Sequence, residues 1–169
     1  QALESGAELL RIDTDARVGA MSSMGATSAI GISAITYNPA GIISIGKGEA
    51  ALSHSAWYLG SVHDFVGAGF ALPGSAGWKM GLSFTRLSSG SMEGRTASRA
   101  KAGGYSAYDQ AASLALARQY GAYSLGGAVK YIESSIAGVK GTGYAVDLGV
   151  KRGLRGVPVS VGVAVQNLG

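Results

Sequence analysis

The chain has 169 residues, of which 28 are Gly, 27 Ala and 21 Ser, so its side chains supply too little bulk for an ordinary apolar core. Only 14% of the residues are charged and the net charge is +4, which excludes a disordered polar chain and the dense basic surface of a nucleic-acid-binding protein. The sequence contains no cysteine, and this excludes a disulfide framework, cysteine-ligated zinc and thiol catalysis.

Residues 1–47 are predicted to form a separate, partly helical segment. A short helix is expected before Ile12, and a second helical run over 16–28 is weakened by its glycines. The sequence Tyr37–Gly41 (YNPAG) predicts a turn, because proline keeps Asn38 out of the helical region and glycine permits a left-handed exit. A membrane-spanning helix over 18–46 is disfavoured by the hydroxyl side chains and the proline within it.

From Glu49 onward, apolar residues alternate with small or polar ones, which is the period of a β-strand. Seven strands are predicted, over 49–59, 64–72, 78–85, 108–119, 123–131, 144–151 and 157–166. Each approaches the 9–11 residues that a tilted strand needs to cross hydrocarbon. One face is bulky and apolar and the other is Gly, Ala, Ser and Thr, so neither face has the charges that keep a β-sandwich soluble. The pattern therefore predicts an antiparallel transmembrane β-barrel.

The connections between the predicted strands alternate in length. Short links are expected at 60–63, 73–77, 120–122 and 153–156, and long ones at 88–107 and 133–142. Outer-membrane barrels have short periplasmic turns and long outer loops, so residues 1–47 are expected on the periplasmic side or in the lumen as a plug. Seven strands leave an open edge in lipid, and we expect residues 48–169 to be the first half of a longer barrel, or to be completed by a second chain.

Several segments resemble the PorV/PorQ family of the FadL-like outer-membrane barrels. They are Leu10–Ile12, Ala16–Arg17, Gly19–Met21, Tyr37–Gly41, Ser53–Trp57, Leu87–Gly94, Val129–Ile132, Ala145–Gly149 and Val163–Gly169. Two features depart from the family pattern: 26–35 lacks the usual acidic residue, and Tyr37 stands where Trp is common. The resemblance implies a fourteen-stranded barrel of about twice this length in the bacterial outer membrane, and the departures put in doubt any ion or polar partner of the acidic segment.

Two functions follow from the resemblance. PorV-like proteins are non-enzymatic partners of type IX secretion that receive secreted proteins for surface attachment. FadL-like relatives carry hydrophobic small molecules through a plugged lumen. A structural surface barrel is a third alternative, because fold does not decide function. Expected partners are outer-membrane lipid or lipopolysaccharide, and a secreted or secretion-machinery protein or a hydrophobic ligand; neither nucleic acid nor a cofactor is expected.

Three groups of residues are candidate sites. The box Asn38, Pro39, Ala40 and Gly41 is either a gate of the plug or a structural turn that ties it to the wall. Lys130, Asp147 and Gln166 are predicted to face the lumen, where the two charges pair with each other or with the plug, or hold a ligand head group. Arg95, Arg99, Lys101 and Tyr105 in the long loop 88–107 are candidate contacts for a partner protein, or lie in a solvated loop near lipid head groups.

Enzymatic chemistry is not indicated. The only histidines are His54, expected in a strand, and His63, expected in a tight link. No third ligand stands at a metal-like spacing, and no nucleophile elbow accompanies them. We therefore predict a protein without catalytic or metal-ligating residues.

Overall fold

The computed structural model describes residues 8–95, 101–154, 156–157 and 159–169. Seven strands form one antiparallel sheet in chain order. They are β1 (Gly48–Ala56), β2 (Val62–Ala71), β3 (Lys79–Arg95), β4 (Lys101–Tyr120), β5 (Tyr123–Ile136), β6 (Val139–Gly153) and β7 (Ser160–Leu168). The prediction of seven antiparallel strands is confirmed. Within the described residues the sheet is open, because β1 and β7 each pair with one neighbour only.

The two long links of the sequence prediction are wrong. Residues 88–95 and 101–107 continue β3 and β4 as a paired hairpin, although the register shifts between Ser88 and Ser91. The link 133–142 shrinks to the two-residue turn Ala137–Gly138, in which both residues have positive φ, as the tightest hairpin turns require. The strands that these two links join, β3–β6, are the four longest. The two ends of the sheet therefore differ in how far the strands extend, and not in the length of the loops.

The N-terminal segment is a string of short helices. Two α-helices, α1 (Ala16–Ala20) and α2 (Gly25–Ser28), replace the single helical run predicted over 16–28, because Ser22 and Ser23 adopt positive φ between them. Three 3-10 helices span Glu8–Arg11, Ile32–Thr36 and Pro39–Ser44. Another short 3-10 element, Tyr58–Gly60, joins β1 to β2.

The predicted turn at the Asn-Pro-Ala-Gly box is confirmed in one part and wrong in another. Asn38 is extended, with φ −155°, and its side-chain oxygen caps the helix that Pro39 begins. Gly41 lies inside that helix and makes no left-handed exit. Its lack of a side chain serves close packing, because an added Cβ would lie 2.8 Å from the carbonyl oxygen of Ala29.

The apolar core lies between the N-terminal segment and the sheet. It combines Ile32, Ile35, Ile42 and Ile45 of the segment with small side chains of the strands and with Phe65. The segment contacts every strand of the sheet, from β1 at the Ile32–Thr36 helix to β7 at α2. In the described part of the chain, no helix is long and apolar enough to cross a membrane.

Candidate functional site

The sheet has two faces that differ in what covers them. We call the seven-stranded sheet the wall, and the face that residues 8–47 cover its lining face. In the described part of the chain nothing covers the opposite, outer face, which carries the large apolar side chains. These outward side chains include Leu52, Val66, Leu82, Phe84, Leu114, Leu116, Leu125, Val129, Tyr131, Tyr144, Val146, Leu148, Val150, Val161, Val163 and Val165, which are 38–84% exposed. An apolar patch that crosses a whole sheet is far larger than the few hundred Å² a soluble monomer exposes, and it indicates contact with a partner or a membrane.

A row of polar side chains crosses the outer face near one end of the strands. Its six members are direct neighbours from β1 to β6: His54, Asp64, Arg86, Gln110, Glu133 and Thr142. We call this the polar row. His54 Nδ1 lies 2.7 Å from Asp64 Oδ1, and the Arg86 guanidinium lies 4.5 Å from the centre of the Tyr108 ring. Acidic and basic groups therefore alternate along the row.

Glu133 is the most heavily bonded member of the polar row. Its Oε1 accepts hydrogen bonds from the Tyr108 hydroxyl at 2.8 Å and from Gln110 Nε2 at 3.4 Å. Lys140 Nζ lies 3.3 Å from the same oxygen. Because side chains from three strands meet on one carboxylate, the polar row is an ordered feature of the wall.

The opposite end of the outer face carries arginines and aromatic rings. The guanidinium of Arg118 lies 5.7 Å from the centre of the Trp78 ring, and that of Arg152 lies 4.8 Å from the Tyr123 ring. Tyr120 stands beside them at the end of β4 and is 69% exposed. These five residues are called the arginine–aromatic end.

The distance between the two borders can be measured along β6. Thr142 of the polar row and Arg152 are ten residues apart, which is about 34 Å at about 3.4 Å per residue. A strand tilted by about 40° would rise about 26 Å over that length, which is the height of the apolar band on outer-membrane barrels. The outward side chains between these two residues are Tyr144, Val146, Leu148 and Val150.

The lining face carries small side chains because most of the large apolar side chains of the core come from the segment packed on it. Gly69 of β2 faces Gly81 of β3 in the pairing register, and both lie under the Ile32 side chain. A Cβ at Gly81 would lie 2.8 Å from Ile32 Cδ1, and one at Gly69 would overlap with Ile45. Isoleucine side chains thus occupy the volume that larger wall residues would fill.

The Asn-Pro-Ala box is docked onto β5, β6 and β7. The Asn38 side-chain amide donates to the carbonyl oxygen of Ala26 at 2.7 Å and to those of Val150 and Val163 at 3.3 Å. The side chain is fully buried, and polar groups at such depth need partners. The box therefore acts as a structural anchor between the segment and the wall.

Two paired glycines make room for this anchor. Gly126 of β5 faces Gly149 of β6. A Cβ at Gly126 would overlap with Pro39 C and Ala40 N and would lie 2.7 Å from Ala40 Cα. A Cβ at Gly149 would lie 2.9 Å from Asn38 Cγ and overlap with its oxygen.

A buried ion pair lies on the same face, nearer the polar-row end. Lys130 Nζ is 2.6 Å from Asp147 Oδ2, and both side chains are at most 3% exposed. Asn167 completes the cluster: its side-chain oxygen accepts from Lys130 Nζ at 2.9 Å, and its backbone N–H donates to Asp147 Oδ1 at 2.8 Å. The two predicted lumen charges therefore pair with each other.

Asn167 was missed by the sequence reasoning, and the cause is a β-bulge. The register between β6 and β7 shifts between Val146 and Leu148, so two residues of β7 stand opposite Asp147. Asn167 takes φ +58° at this bulge, a conformation that asparagine tolerates better than most residues. Bulges redirect side chains in this way, but nothing in the alternation pattern reveals one.

Two further polar contacts hold the segment against the sheet, and another lies within the segment. Gln166, predicted to face the lumen, donates from Nε2 to the Thr36 carbonyl oxygen at 2.7 Å, and Lys151 Nζ donates to that of Ala29 at 2.8 Å. Within the segment, the Tyr37 hydroxyl oxygen accepts from the backbone N–H groups of Thr14 and Asp15 at 2.9 and 3.1 Å. Burial raises the pKa of the Tyr37 hydroxyl above its usual value.

Three of the four predicted partner contacts, Arg95, Lys101 and Tyr105, lie on the paired strands β3 and β4 instead of in a loop. Arg95 and Lys101 pair at the tip of this hairpin and are described by their backbone only, while Arg99 lies outside the described residues. Tyr105 is 40% exposed on β4. The hairpin extends nine residues past Arg86, so it rises beyond the polar row.

Cavities lie on both faces of the sheet. On the outer face, one of about 540 Å³ is bounded by Phe84, Leu114, Tyr131 and Tyr144, and one of about 400 Å³ lies at the arginine–aromatic end. On the lining face, a cavity of about 280 Å³ lies between Leu10 and the strands β5–β7, and the space between Leu9 and Lys130 measures about 10 Å³. That volume is at most the size of one water molecule.

The two histidines lie on opposite faces of the sheet, His54 on the outer face and His63 on the lining face. His63 lies within β2 and not in a link: it is buried on the lining face, where Nε2 is 3.0 Å from Thr85 Oγ1. Among the described residues, no three His, Asp or Glu side chains come together to hold a metal ion. Comparison with family models, curated proteins and solved structures found no match, so the resemblance to the PorV/PorQ family stays a prediction.

Proposed function

We propose that this chain forms part of the wall of a bacterial outer-membrane β-barrel that acts, without enzymatic activity, as a partner in type IX protein secretion and surface attachment. The observation that carries the membrane proposal is the outer face, where an apolar band of about the height of a bilayer core lies between the polar row and the arginine–aromatic end. Aromatic and charged residues at both borders are typical of membrane interfaces. Lipid or lipopolysaccharide would cover this face.

The packing beneath the segment supports a role in secretion over the transport of hydrophobic compounds. A transporter needs a continuous apolar pocket between the plug and the wall, whereas residues 29–45 fill this space with isoleucine side chains. The β3–β4 hairpin, which rises beyond the polar row, offers a surface to a secreted protein or to the secretion machinery. A purely structural barrel stays the third alternative.

The open edges support a further element of the proposal. β1 and β7 each have one unpaired side among the described residues, and unpaired backbone groups are costly in hydrocarbon. We infer that further strands, from a longer form of this chain or from a second chain, pair with both edges and close the barrel.

An engineered disulfide that fixes the segment to the sheet can distinguish the secretion, transport and structural functions. The sequence has no cysteine, so Asn38→Cys with Gly149→Cys introduces a single disulfide. Its geometry is suitable because a Cβ at position 149 would lie 2.9 Å from the present Asn38 Cγ, where the second sulfur would stand. The double variant is expressed in the bacterium that makes the protein, with a deletion strain for comparison.

We expect that in the deletion strain secreted proteins remain inside the cell envelope and are not attached to the surface. The locked protein should fractionate with the outer membrane and restore surface attachment equally with and without reductant. Loss of hydrophobic-compound uptake in the oxidised lock, regained on reduction, would favour the transporter. Normal surface attachment in the deletion strain would contradict the secretion role and leave the structural barrel.

A further inference from the structure

A groove at the arginine–aromatic end is the cavity with the most distinct chemistry in the described part of the chain. It measures about 400 Å³ and is lined by Trp78, Leu116, Arg118, Tyr120, Leu125, Gly126, Gly127 and Leu148. Its volume falls within the range of about 300–1,000 Å³ that is common for small-molecule sites. Apolar side chains form its walls and a guanidinium stands at its end.

The groove exists because one outward position of β5 has no side chain. Gly127 pairs with Leu116 on β4 and with Leu148 on β6, so a gap one side chain wide lies between two leucines. A Cβ at Gly127 would meet its nearest atoms at 3.7 Å, an ordinary contact. The position could therefore hold a larger residue, and glycine leaves it open.

Arg118 at the end of the groove lacks a partner for one of its donors. Its Nε is buried and has no hydrogen-bond acceptor among the described residues. A buried unpaired donor on a charged group is costly, and a phosphate oxygen is the acceptor that a guanidinium binds best.

The charge around the groove differs from that of the polar row. Arg118 and Arg152 face outward at this end, and the described carboxylates of the strands lie elsewhere. Asp64 and Glu133 belong to the polar row, Asp109 lies beside it on β4, Glu93 lies on the hairpin beyond it, and Asp147 is buried on the lining face. Glu49, on β1, turns to the lining face, where its carboxylate accepts from Ile32 N. This end therefore has a net positive charge, while the polar row has two carboxylates and one guanidinium.

We propose that the groove is a binding site for an anionic glycerophospholipid, with one acyl chain along Gly127 between Leu116 and Leu148 and the phosphate on Arg118. The proposal rests on the membrane location proposed above. It adds a specific lipid class and a place for it. The positive charge of this end favours an anionic over a zwitterionic head group, by about fivefold for each arginine near the head-group layer.

Tryptophan fluorescence provides a local test. Trp57→Phe leaves Trp78, which contacts Arg118, as the single tryptophan of the 169 residues. The intact protein carrying this change is titrated in detergent micelles with phosphatidylglycerol or phosphatidylcholine whose acyl chains are brominated, because bromine quenches tryptophan on contact. Phosphatidylglycerol should quench Trp78 at about 25-fold lower mole fraction, since Arg118 and Arg152 each contribute about fivefold.

Three variants define the site. Arg118→Gln should lower the preference for phosphatidylglycerol by about fivefold, while Arg86→Gln, its matched control in the polar row, should leave it unchanged. Gly127→Leu should fill the groove and weaken quenching by both lipids. Equal quenching by the two lipids in the parent, or an equal effect of Arg118→Gln and Arg86→Gln, would overturn the lipid site and leave the membrane proposal intact. Absence of quenching by either lipid would contradict both.

Discussion

The pair Gly126 and Gly127 offers a sharp test of how the segment is held. The two glycines are adjacent in β5, but Gly126 faces the Asn-Pro-Ala box and Gly127 faces outward. In Gly126→Ala, the new methyl group would overlap with backbone atoms of Pro39 and Ala40. A backbone has no rotamer to change, so the turn must withdraw from the wall.

The size of the effect follows from the contacts. Overpacking by one methyl group costs about 1–3 kcal/mol, and the upper end applies because the obstructing atoms are main-chain atoms. Withdrawal also stretches the two 3.3 Å hydrogen bonds from Asn38 to the wall. We expect Gly126→Ala to destabilise the docked segment by about 3 kcal/mol, which is about a hundredfold in its opening equilibrium.

Hydrogen exchange followed by mass spectrometry measures this opening directly. Peptides covering 29–45 should exchange about a hundredfold faster in Gly126→Ala than in the parent. Gly127→Ala is the control: its methyl group meets ordinary contacts at 3.7 Å, and alanine is better than glycine inside a strand by about 0.5–1 kcal/mol. If the two variants exchange at rates within about threefold of each other, the docking of the box against Gly126 is wrong.

Two further predictions concern buried polar groups. Asp147→Asn leaves Lys130 buried without a counter-charge and should lower the free energy of unfolding by about 3–5 kcal/mol, whereas Lys140→Gln, which removes the 60% exposed partner of Glu133, should cost less than about 1 kcal/mol; thermal unfolding of both variants checks this. Because burial raises the pKa of the Tyr37 hydroxyl, its contribution to stability should be fully present below pH about 10, the unfolded pKa, and be lost as pH rises through the folded pKa. Unfolding between pH 8 and 11 should show this loss in the parent, and a Tyr37→Phe variant that loses the same stability would refute it.

The strands could be predicted where alternation is uninterrupted. In β6, Tyr144, Val146, Leu148 and Val150 face one way, and the period is visible in the sequence. The ends of β3 and β4 could not be predicted, because a register shift breaks the alternation between Ser88 and Ser91. Beyond this shift, the extended conformation of each strand depends on its pairing with the other strand. Local pattern indicates a strand only where side chains alternate regularly between two environments.

The candidate site could be predicted from the sequence only in part, for a related reason. Lys130 and Asp147 stand out as rare charges on a face of small residues, so their pairing could be anticipated. The partners of Asn38 lie 112 and 125 residues away on β6 and β7, and no local signal connects them. The alternation does place Gly126 on the face of small residues and Gly127 on the bulky face, but it does not show that the box docks on Gly126 or that a groove opens at Gly127.

The segment supplies most of the large buried side chains of the core, and this bears on whether it can open as a gate. Ile32, Ile35, Ile42 and Ile45 are at most 1% exposed, and each full burial of such a side chain contributes about 1.5–3 kcal/mol. Lifting the segment off the wall would thus cost about 6–12 kcal/mol from these residues alone, a large part of the whole stability of an ordinary domain. A segment with this much buried side-chain volume behaves as the core of the sheet, and this supports the proposal of a barrel that acts through its surfaces over one that transports ligands through its lumen.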